Sequence, residues 1–264
     1  MLNQAIDIVQ FVLKSTNQHG IHSPSLFQLY EHVIRDDRRF HVFEKLEAYR
    51  NELLRSSEEI VIVELGAGSN YDTATKKQIK EVAAQQLSSP YQLRVLFRLI
   101  EWVGAQNIVE LGASLGLSSF YLSATSSKST VTSFEGNPHF VKFIKSQNKR
   151  LGFDNLSIIE GNFDTTYLEF VQTNPKVDLI FIDGNHRESA TLNYFDESLK
   201  IINEHGIIVF DDIHWSKGMQ KAWNRIKSHD RVNASIDLYM MGIIFLSSEY
   251  KEKRHLHIRP RVWS

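Results

Sequence analysis

Short apolar runs alternate with amphipathic segments of helical length from Asn107 onward. The runs are rich in β-branched residues, which favours strands, and the segments between them have the period of helices. The predicted strands are Ile108–Leu111, Thr130–Phe134, Leu156–Ile159, Val177–Ile182, Gly206–Phe210, Ser235–Tyr239 and Gly242–Leu246. The predicted helices between them are Ser118–Ala124, Pro138–Leu151, Thr165–Gln172, Glu188–Asn203 and Gly218–Lys227. This repetition predicts an α/β fold, with a doubly wound, mostly parallel seven-stranded sheet covered by helices on both faces. The link Met240-Met241 is too short for a crossover helix, so the last strand should be antiparallel.

The part of the chain before residue 91 has a mainly helical pattern. Predicted helices are Ile6–Leu13, Leu26–Ile34, Phe40–Leu54 and Lys76–Gln86, and a further helix, Tyr91–Val103, leads into the second half. A β-branched run that ends in a Gly-containing turn, Glu59–Asn70, interrupts them. We therefore expect a helical N-terminal extension over 1–90, a sheet domain over 91–250 and a basic tail over 251–264. For the tail, a solvated end or an edge strand is favoured over a nucleic-acid-binding arm.

Composition and charge exclude several classes of function. The chain is 42% hydrophobic and 23% charged, as ordinary globular domains are. Its 30 Lys and Arg against 31 Asp and Glu give a formal charge of −1, so no overall basic field exists to hold nucleic acid or an anionic membrane. With no cysteine, disulfides, thiolate nucleophiles and iron–sulfur clusters are excluded, and any metal must bind oxygen or histidine nitrogen. No apolar run approaches the roughly 20 residues of a membrane span, so we expect a cytoplasmic protein.

The carboxyl ends of parallel strands are where such sheets bind ligands. After the first strand of the second half comes a Gly-bearing turn that leads into a helix. Gly112 and Gly116 allow a tight turn and close approach of a ligand, and Ser114 and Ser118 offer hydroxyl groups beside the helix N-terminus. The turn lacks both the G-x-G-x-x-G pattern of dinucleotide-binding folds and the Gly-Lys-Ser/Thr ending of phosphate loops.

The next two strand ends carry groups suited to a nucleoside. Glu135 closes the second strand and could accept hydrogen bonds from both hydroxyls of a ribose. Asn162 and Phe163 follow the third strand and suit the edge and face of an adenine, although a loop with one packed phenylalanine explains them equally well.

Three acids close the fourth and fifth strands of this half: Asp183, Asp211 and Asp212. Converging carboxylates repel one another unless a proton or cation intervenes, and oxygen ligands suit Mg²⁺, Mn²⁺ or Ca²⁺. His186 and His214 follow these ends as candidate bases. In the alternative without metal, Asp183 faces the reacting end of the ligand and Asp211 or Asp212 caps the next turn.

Together, residues 106–246 resemble the class I S-adenosylmethionine-dependent methyltransferases, and Glu110 to Ser118 look most like the turn of the catechol and caffeoyl-coenzyme-A O-methyltransferases. The resemblance implies a cofactor site formed by Glu110, Gly112, Ser114, Gly116, Ser118, Glu135, Asn162, Phe163 and Asp183. Glu110 and Ser118 would hold the methionine end, Glu135 the ribose, and Asn162 with Phe163 the adenine.

Metal-dependent members of that group have Asp, Asp and Asn as ligands and a tryptophan a few residues later. The corresponding residues here are Asp183, Asp211, Asp212 and Trp215. The family's lysine base is replaced by His186, which could act as a base of lower pKa, add a metal ligand or indicate different chemistry.

The implied function is methyl transfer to an oxygen of a small molecule, with Asp183, His186 and His214 as catalytic candidates and a divalent cation such as Mg²⁺ as an open question. The alternatives are a metal-independent N- or O-methyltransferase acting on a macromolecule and a non-catalytic cofactor-binding protein. Nucleic acid is not expected as a partner, and a homodimer is left open.

A second segment, Glu64–Ser69, has a sequence similar to the cofactor turn. No strand that ends in an acid follows it, so a structural turn or a lid segment is favoured there.

Overall fold

A computed structural model describes residues 2–63, 74–247 and 253–260 of the chain. Its helices are α1 Leu2–Lys14, α2 Pro24–Leu29, α3 His41–Arg55, α4 Ile79–Gln86, α5 Pro90–Val103, α6 Leu117–Ser123, α7 Pro138–Leu151, α8 Phe163–Gln172, α9 Glu188–Ile201 and α10 Lys217–Ser228. Its strands are β1 Glu59–Val63, β2 Ala74–Gln78, β3 Asn107–Leu111, β4 Thr130–Glu135, β5 Leu156–Glu160, β6 Val177–Ile182, β7 Ile202–Asp211, β8 Ala234–Asp237, β9 Met241–Phe245 and β10 Arg254–His257. The Glu64–Ser69 turn lies outside the described residues.

Two compact units divide these elements, Arg38–Pro175 on the one hand and Met1–Asp37 with Lys176–Ser264 on the other. The predicted division at residues 90 and 250 stays a prediction.

In the unit Arg38–Pro175, three parallel strands carry the first three predicted strand ends. They follow the order β3-β4-β5, with Glu110 opposite Ser133 and Glu135 opposite Glu160. The register places the carboxyl ends of all three strands at one edge, as predicted for a ligand site. A separate antiparallel ribbon joins β1 and β2.

Helix ends in this unit follow from local sequence signals. Helix α5 begins with a capping box between Ser89 and Gln92, and it ends at Gly104, whose φ is 65°. Helix α7 begins at Asn137, whose side chain accepts from the backbone N–H of His139, and it ends at Gly152, with φ 70°. These caps fix where each helix meets the strand ends, and Asn137 lies directly beside the predicted ribose site.

In the unit Met1–Asp37 with Lys176–Ser264, β6 and β7 run parallel, with Ile182 opposite Phe210. Strand β9 pairs antiparallel with both β7 and β8, which confirms the predicted reversal at the end of the sheet. Strand β10 pairs parallel with β8, so the edge-strand interpretation of the basic tail is confirmed over Arg254–His257.

The predicted fold class, α/β with a mostly parallel sheet and N-terminal helices, is confirmed, with three corrections. The described strands β3 to β10 number eight rather than seven, because the tail contributes the edge strand β10. The predicted helix Lys76–Gln86 begins only at Ile79, because residues 74–78 pair with the apolar strand β1. The predicted helix Glu188–Asn203 ends at Ile201, and β7 begins at Ile202 rather than at Gly206. Within the described residues, no helix is both long and apolar enough to cross a membrane.

Gly242 in β9 lies against a buried indole. A Cβ atom at this position would lie 2.7 Å from ring atoms of Trp223. The ring cannot easily move away, because it is 2% exposed and its Nε1 donates to Asp237 Oδ2 at 3.1 Å. We therefore expect Gly242→Ala to lower the free energy of unfolding by about 1–3 kcal/mol through overpacking, as measured by urea denaturation.

Gly218→Ala is the matched control. A Cβ atom there meets no atom closer than 3.6 Å, and the position lies in the first turn of α10. Alanine favours a helix over glycine, so this variant should be as stable as the parent chain or slightly more so. An equal effect of both substitutions would contradict the packing argument.

Candidate functional site

The predicted Gly-bearing turn follows β3 and has left-handed backbone at three positions. The φ angles of Gly112, Ser114 and Gly116 are 103°, 48° and 82°. The backbone N–H groups of Gly112 and Ala113 both donate to the Phe134 carbonyl, at 3.0 and 3.2 Å, which ties the turn to β4. The turn then enters α6 at Gly116. The positive φ angles at Gly112 and Gly116 explain why glycine occupies these two positions, because glycine adopts such angles at little cost.

Glu110 is fully buried at the end of β3. Its Oε2 accepts hydrogen bonds from the hydroxyls of Ser119 and Ser133. Burial raises the pKa of the Glu110 carboxyl, while hydrogen bonds from those two serines and from Ser118 oppose the rise. Its Oε1 is buried with no hydrogen-bond partner among the described residues, so one acceptor of this side chain is left unsatisfied. The structure thus brings the predicted pair Glu110 and Ser118 together.

Glu135 closes β4 and is 8% exposed. Its Oε2 accepts from the backbone N–H of Ser114 at 2.7 Å, and its Oε1 from the backbone N–H of Asn137 at 2.8 Å. Burial raises the pKa of Glu135 to about 7, although the peptide donors from Asn137 and Ser114 act in the opposite direction. The carboxyl is therefore held in place at both oxygens and poised to titrate near neutral pH.

Asn162 and Phe163 follow β5 at the start of α8. The Asn162 side chain accepts from the backbone N–H of Asp164 at 2.9 Å and so caps the helix. Asn162 is exposed and Phe163 is half-buried. The cap explains the asparagine without any ligand, and a role in binding adenine stays a prediction.

In the other unit, Asp183, His186 and Asp212 form an electrostatic group. His186 Nε2 lies 3.7 Å from Asp183 Oδ1. Burial lowers the pKa of His186, and the nearby Asp212 opposes that shift. Burial likewise raises the pKa of Asp212, against the influence of His186. His186 is therefore favoured in its neutral form, which can accept a proton.

His214 lies in a different setting. Its Nε2 is 2.9 Å from Asp237 Oδ2, and its ring stacks on Tyr239 at 4.8 Å with an interplanar angle of 4°. Asp237 also accepts from Trp223 Nε1 and from the backbone N–H of Tyr239. Burial alone would raise the pKa of Asp237, yet hydrogen bonds from His214 and His257 and the charge of His214 hold it well below its usual range.

The structure does not assemble Asp183, Asp211 and Asp212 into a metal site. Across residues 2–63, 74–247 and 253–260, no group of three or more histidine and acidic side chains is arranged to hold a metal ion. Asp211 ends β7 and is buried, whereas Asp212 has a left-handed φ of 54°. The arrangement of these described side chains therefore gives no support to the predicted divalent cation, which stays a prediction. Trp215, which follows them, is 65% exposed.

Two participants were missed at the sequence level. Asp237 ends β8 and holds His214, and an acid inside the predicted strand Ser235–Tyr239 was a usable signal for it. Gln86 accepts a hydrogen bond from the Ser114 hydroxyl at 2.6 Å. No local pattern marks that contact, because the two residues lie in separate elements.

Comparison with known proteins finds similarity over part of the chain. Residues 109–213 match the family model of a methyltransferase domain. A stretch of 69 residues is 35% identical to an uncharacterised protein of Acanthamoeba polyphaga mimivirus and covers 25% of this chain. The chain spans only 31% of that protein's length.

Solved structures share the fold at low sequence identity. The O-methyltransferase from Bacillus cereus in complex with S-adenosylhomocysteine has a TM-score of 0.55 and 18% identity, with 84% of this chain and 97% of that chain covered. The S-adenosylhomocysteine-bound methyltransferase PaMTH1 of Podospora anserina has a TM-score of 0.58 and 14% identity, with 85% and 96% covered. For TomG of Streptomyces achromogenes, an O-methyltransferase of tomaymycin synthesis in complex with S-adenosylmethionine, the values are 0.52 and 17%, with 61% and 82% covered.

The family match confirms the resemblance predicted from the strand ends, and the structural matches confirm the fold. Residues 109–213 of this chain therefore match a methyltransferase domain in sequence, and the chain shares the fold of solved O-methyltransferases.

Proposed function

We propose that this chain transfers the methyl group of S-adenosylmethionine to an oxygen atom of a small molecule. The observation that carries the proposal is the buried, doubly held carboxyl of Glu135 in the domain that matches the methyltransferase family. The formal charge of −1 argues against an RNA acceptor. The fold neighbour TomG, an O-methyltransferase of tomaymycin synthesis, supports the choice of a small acceptor.

The acceptor groups present fit the cofactor. Each oxygen of Glu135 holds one peptide N–H and retains capacity for one more donor, which matches the two hydroxyls of a ribose. The unsatisfied Oε1 of Glu110 is suited to a further donor, such as the ammonium group of the methionine end. Gly112, Ser114, Gly116 and Ser118 would form the rest of that end of the site. Asn162 and Phe163 would border the adenine.

When bound, S-adenosylmethionine supplies an electrophilic methyl group on a sulfonium sulfur. The protein's residues then have two tasks, which are to align the acceptor oxygen at about 3–3.5 Å from that methyl group and to remove its proton. We assign proton removal to His186, whose neutral form is favoured by burial. Asp183 and Asp212 would stabilise the imidazolium that results. The Nε2 atom of His214 is engaged by Asp237, which makes it the weaker candidate.

The binding role of Glu135 predicts pH-dependent affinity. The carboxylate form accepts two hydroxyl donors, whereas the protonated form accepts fewer. With a pKa raised to about 7, affinity for S-adenosylhomocysteine should rise as the pH increases through neutrality and then level off. Calorimetric titration should show this rise in the parent chain, and at least about ten-fold weaker, pH-independent binding in Glu135→Gln.

Glu160→Gln is the control for that titration. Glu160 is the register partner of Glu135 on β5 and is exposed, so it should bind the ligand as the parent chain does. Absence of binding by the parent chain would refute the proposed function, whereas equal binding by Glu135→Gln would refute only the role of that residue.

The same carboxyl predicts a pH effect on stability without ligand. Its folded-state pKa of about 7 exceeds the ordinary glutamate value of 4.5, so the folded protein binds a proton that the unfolded chain releases between these values. The stability contributed by protonated Glu135 is present below the lower value and is lost as the pH rises through the upper one. The melting temperature of Glu135→Gln should therefore improve relative to the parent chain as the pH rises from about 5 to about 8. A constant difference would contradict the shifted pKa.

The assignment of the base predicts different behaviour for two histidines. His186→Asn should lower kcat by about 10²–10⁴-fold with little change in affinity for S-adenosylhomocysteine. His214→Asn leaves Asp237 without its closest histidine partner and should mainly lower the melting temperature. Transfer to a panel of catechols, measured by release of S-adenosylhomocysteine, separates the two. Full turnover by His186→Asn would show that another group removes the proton from the acceptor oxygen.

A further inference from the structure

The segment that precedes the matched domain holds the turns of the cofactor site through three side-chain hydrogen bonds. Tyr49 in α3 donates through its hydroxyl to the Leu115 carbonyl at 3.0 Å. The Ser114 hydroxyl donates to Gln86 Oε1, at the end of α4. Asn137 Nδ2 donates to the Val61 carbonyl in β1 at 3.0 Å. All of these residues belong to the same compact unit, Arg38–Pro175.

Two of the three bonds act on the residues that hold Glu135. Ser114 and Asn137 are the residues whose peptide N–H groups bind its two carboxyl oxygens. The side chain of Ser114 is fixed by Gln86, and that of Asn137 by Val61. Each oxygen of Glu135 is thus connected, through one residue, to the segment that precedes the matched domain.

Neither connection is incidental to the local backbone. Ser114 has a φ of 48°, a left-handed conformation that is unfavourable for a residue with a Cβ and needs support from its surroundings. The bond to Gln86 supplies such support. The Asn137 side chain uses both of its ends, because Oδ1 caps α7 at His139 while Nδ2 reaches Val61.

The segment and the turn also share one hydrophobic core. Tyr49, Leu46 and Val82 from α3 and α4 pack in the same buried cluster as Ala113 and Leu115 of the turn. The hydroxyl contact of Tyr49 therefore lies within a closely packed cluster, whereas the Ser114–Gln86 contact is exposed and is flanked in sequence by the cluster residues Ala83, Ala113 and Leu115.

We propose that Gln86 is a positioning residue for the cofactor, which fixes Ser114 so that its peptide N–H aims the carboxyl of Glu135 at the ribose hydroxyls. The Val61 carbonyl does the same for the other oxygen through Asn137. This inference rests on the proposed function, because it presumes that Glu135 binds the ribose. It makes part of the N-terminal segment a component of the cofactor site.

The decisive variant is Gln86→Leu, which removes the acceptor and keeps a side chain of similar bulk. Losing the equivalent of one hydrogen bond should weaken S-adenosylhomocysteine binding about five-fold, as measured by calorimetry above neutral pH. Asn137→Ser, which retains a helix cap but cannot reach Val61, should weaken binding to a similar extent.

Three comparisons separate positioning from general damage to the fold. The first is a ligand without the ribose hydroxyls, 2′,3′-dideoxy-S-adenosylhomocysteine, which should bind Gln86→Leu and the parent chain equally. The second is Gln86→Glu, which keeps an acceptor oxygen and should restore binding of the normal ligand to within about two-fold of the parent chain. The third is Gln85→Leu, the same change at an exposed neighbouring position of α4, which should bind normally.

The outcomes distinguish this inference from the function on which it rests. If the parent chain binds the ligand and Gln86→Leu binds it equally well, the inference is wrong and the proposed function stands. An equal loss for the normal and the dideoxy ligand would also overturn it, because the effect would not pass through the ribose. If the parent chain does not bind at all, the proposed function itself fails.

Discussion

The buried carboxyl of Glu135 is the constraint around which the strand ends of the matched domain are arranged. Its two oxygens are bound by peptide N–H groups from the turn after β3 and from the start of α7. Ser114 donates from a left-handed position of the turn, and Asn137 donates from the N-cap of its helix. Three features place these donors at the Glu135 carboxyl: the glycines of the turn, the helix cap, and the register of β3 with β4.

Three buried acids show how the surroundings decide what a carboxyl can do. Asp237 has histidines and an indole as partners, and their attraction outweighs burial, so it stays charged and acts as a structural anchor. Glu110 accepts hydrogen bonds from serine hydroxyls, and Glu135 accepts them from peptide N–H groups. In both cases these hydrogen bonds lower the pKa by less than burial raises it. The pKa values of the last two therefore rise. A carboxyl held by dipoles retains acceptor capacity and can respond to a ligand, which is what a binding group needs.

The strands were predictable because most are buried on both faces and so appear as continuous apolar runs, as in Val177–Ile182. Predictions failed where a neighbouring strand overrode local preference. Residues 74–78 carry two lysines and a glutamine, yet they pair with β1. Strand β7 begins before Gly206, which had suggested a boundary, because Ile202 already pairs with Val177 of β6. The charged tail, for which an edge strand was one of two favoured interpretations, pairs with β8.

The candidate site was predictable in part, since an acid or a glycine at a strand end is a local signal. Gln86 and Val61 carry no such signal, because their roles depend on contacts with Ser114 and Asn137, which lie 28 and 76 residues away along the chain. The family match begins at residue 109, after both of them. The start of the family match therefore separates Gln86 and Val61 from the other groups that are proposed to orient Glu135. If those groups act as proposed, a change in the N-terminal segment can alter ribose recognition while every residue of the matched domain stays the same.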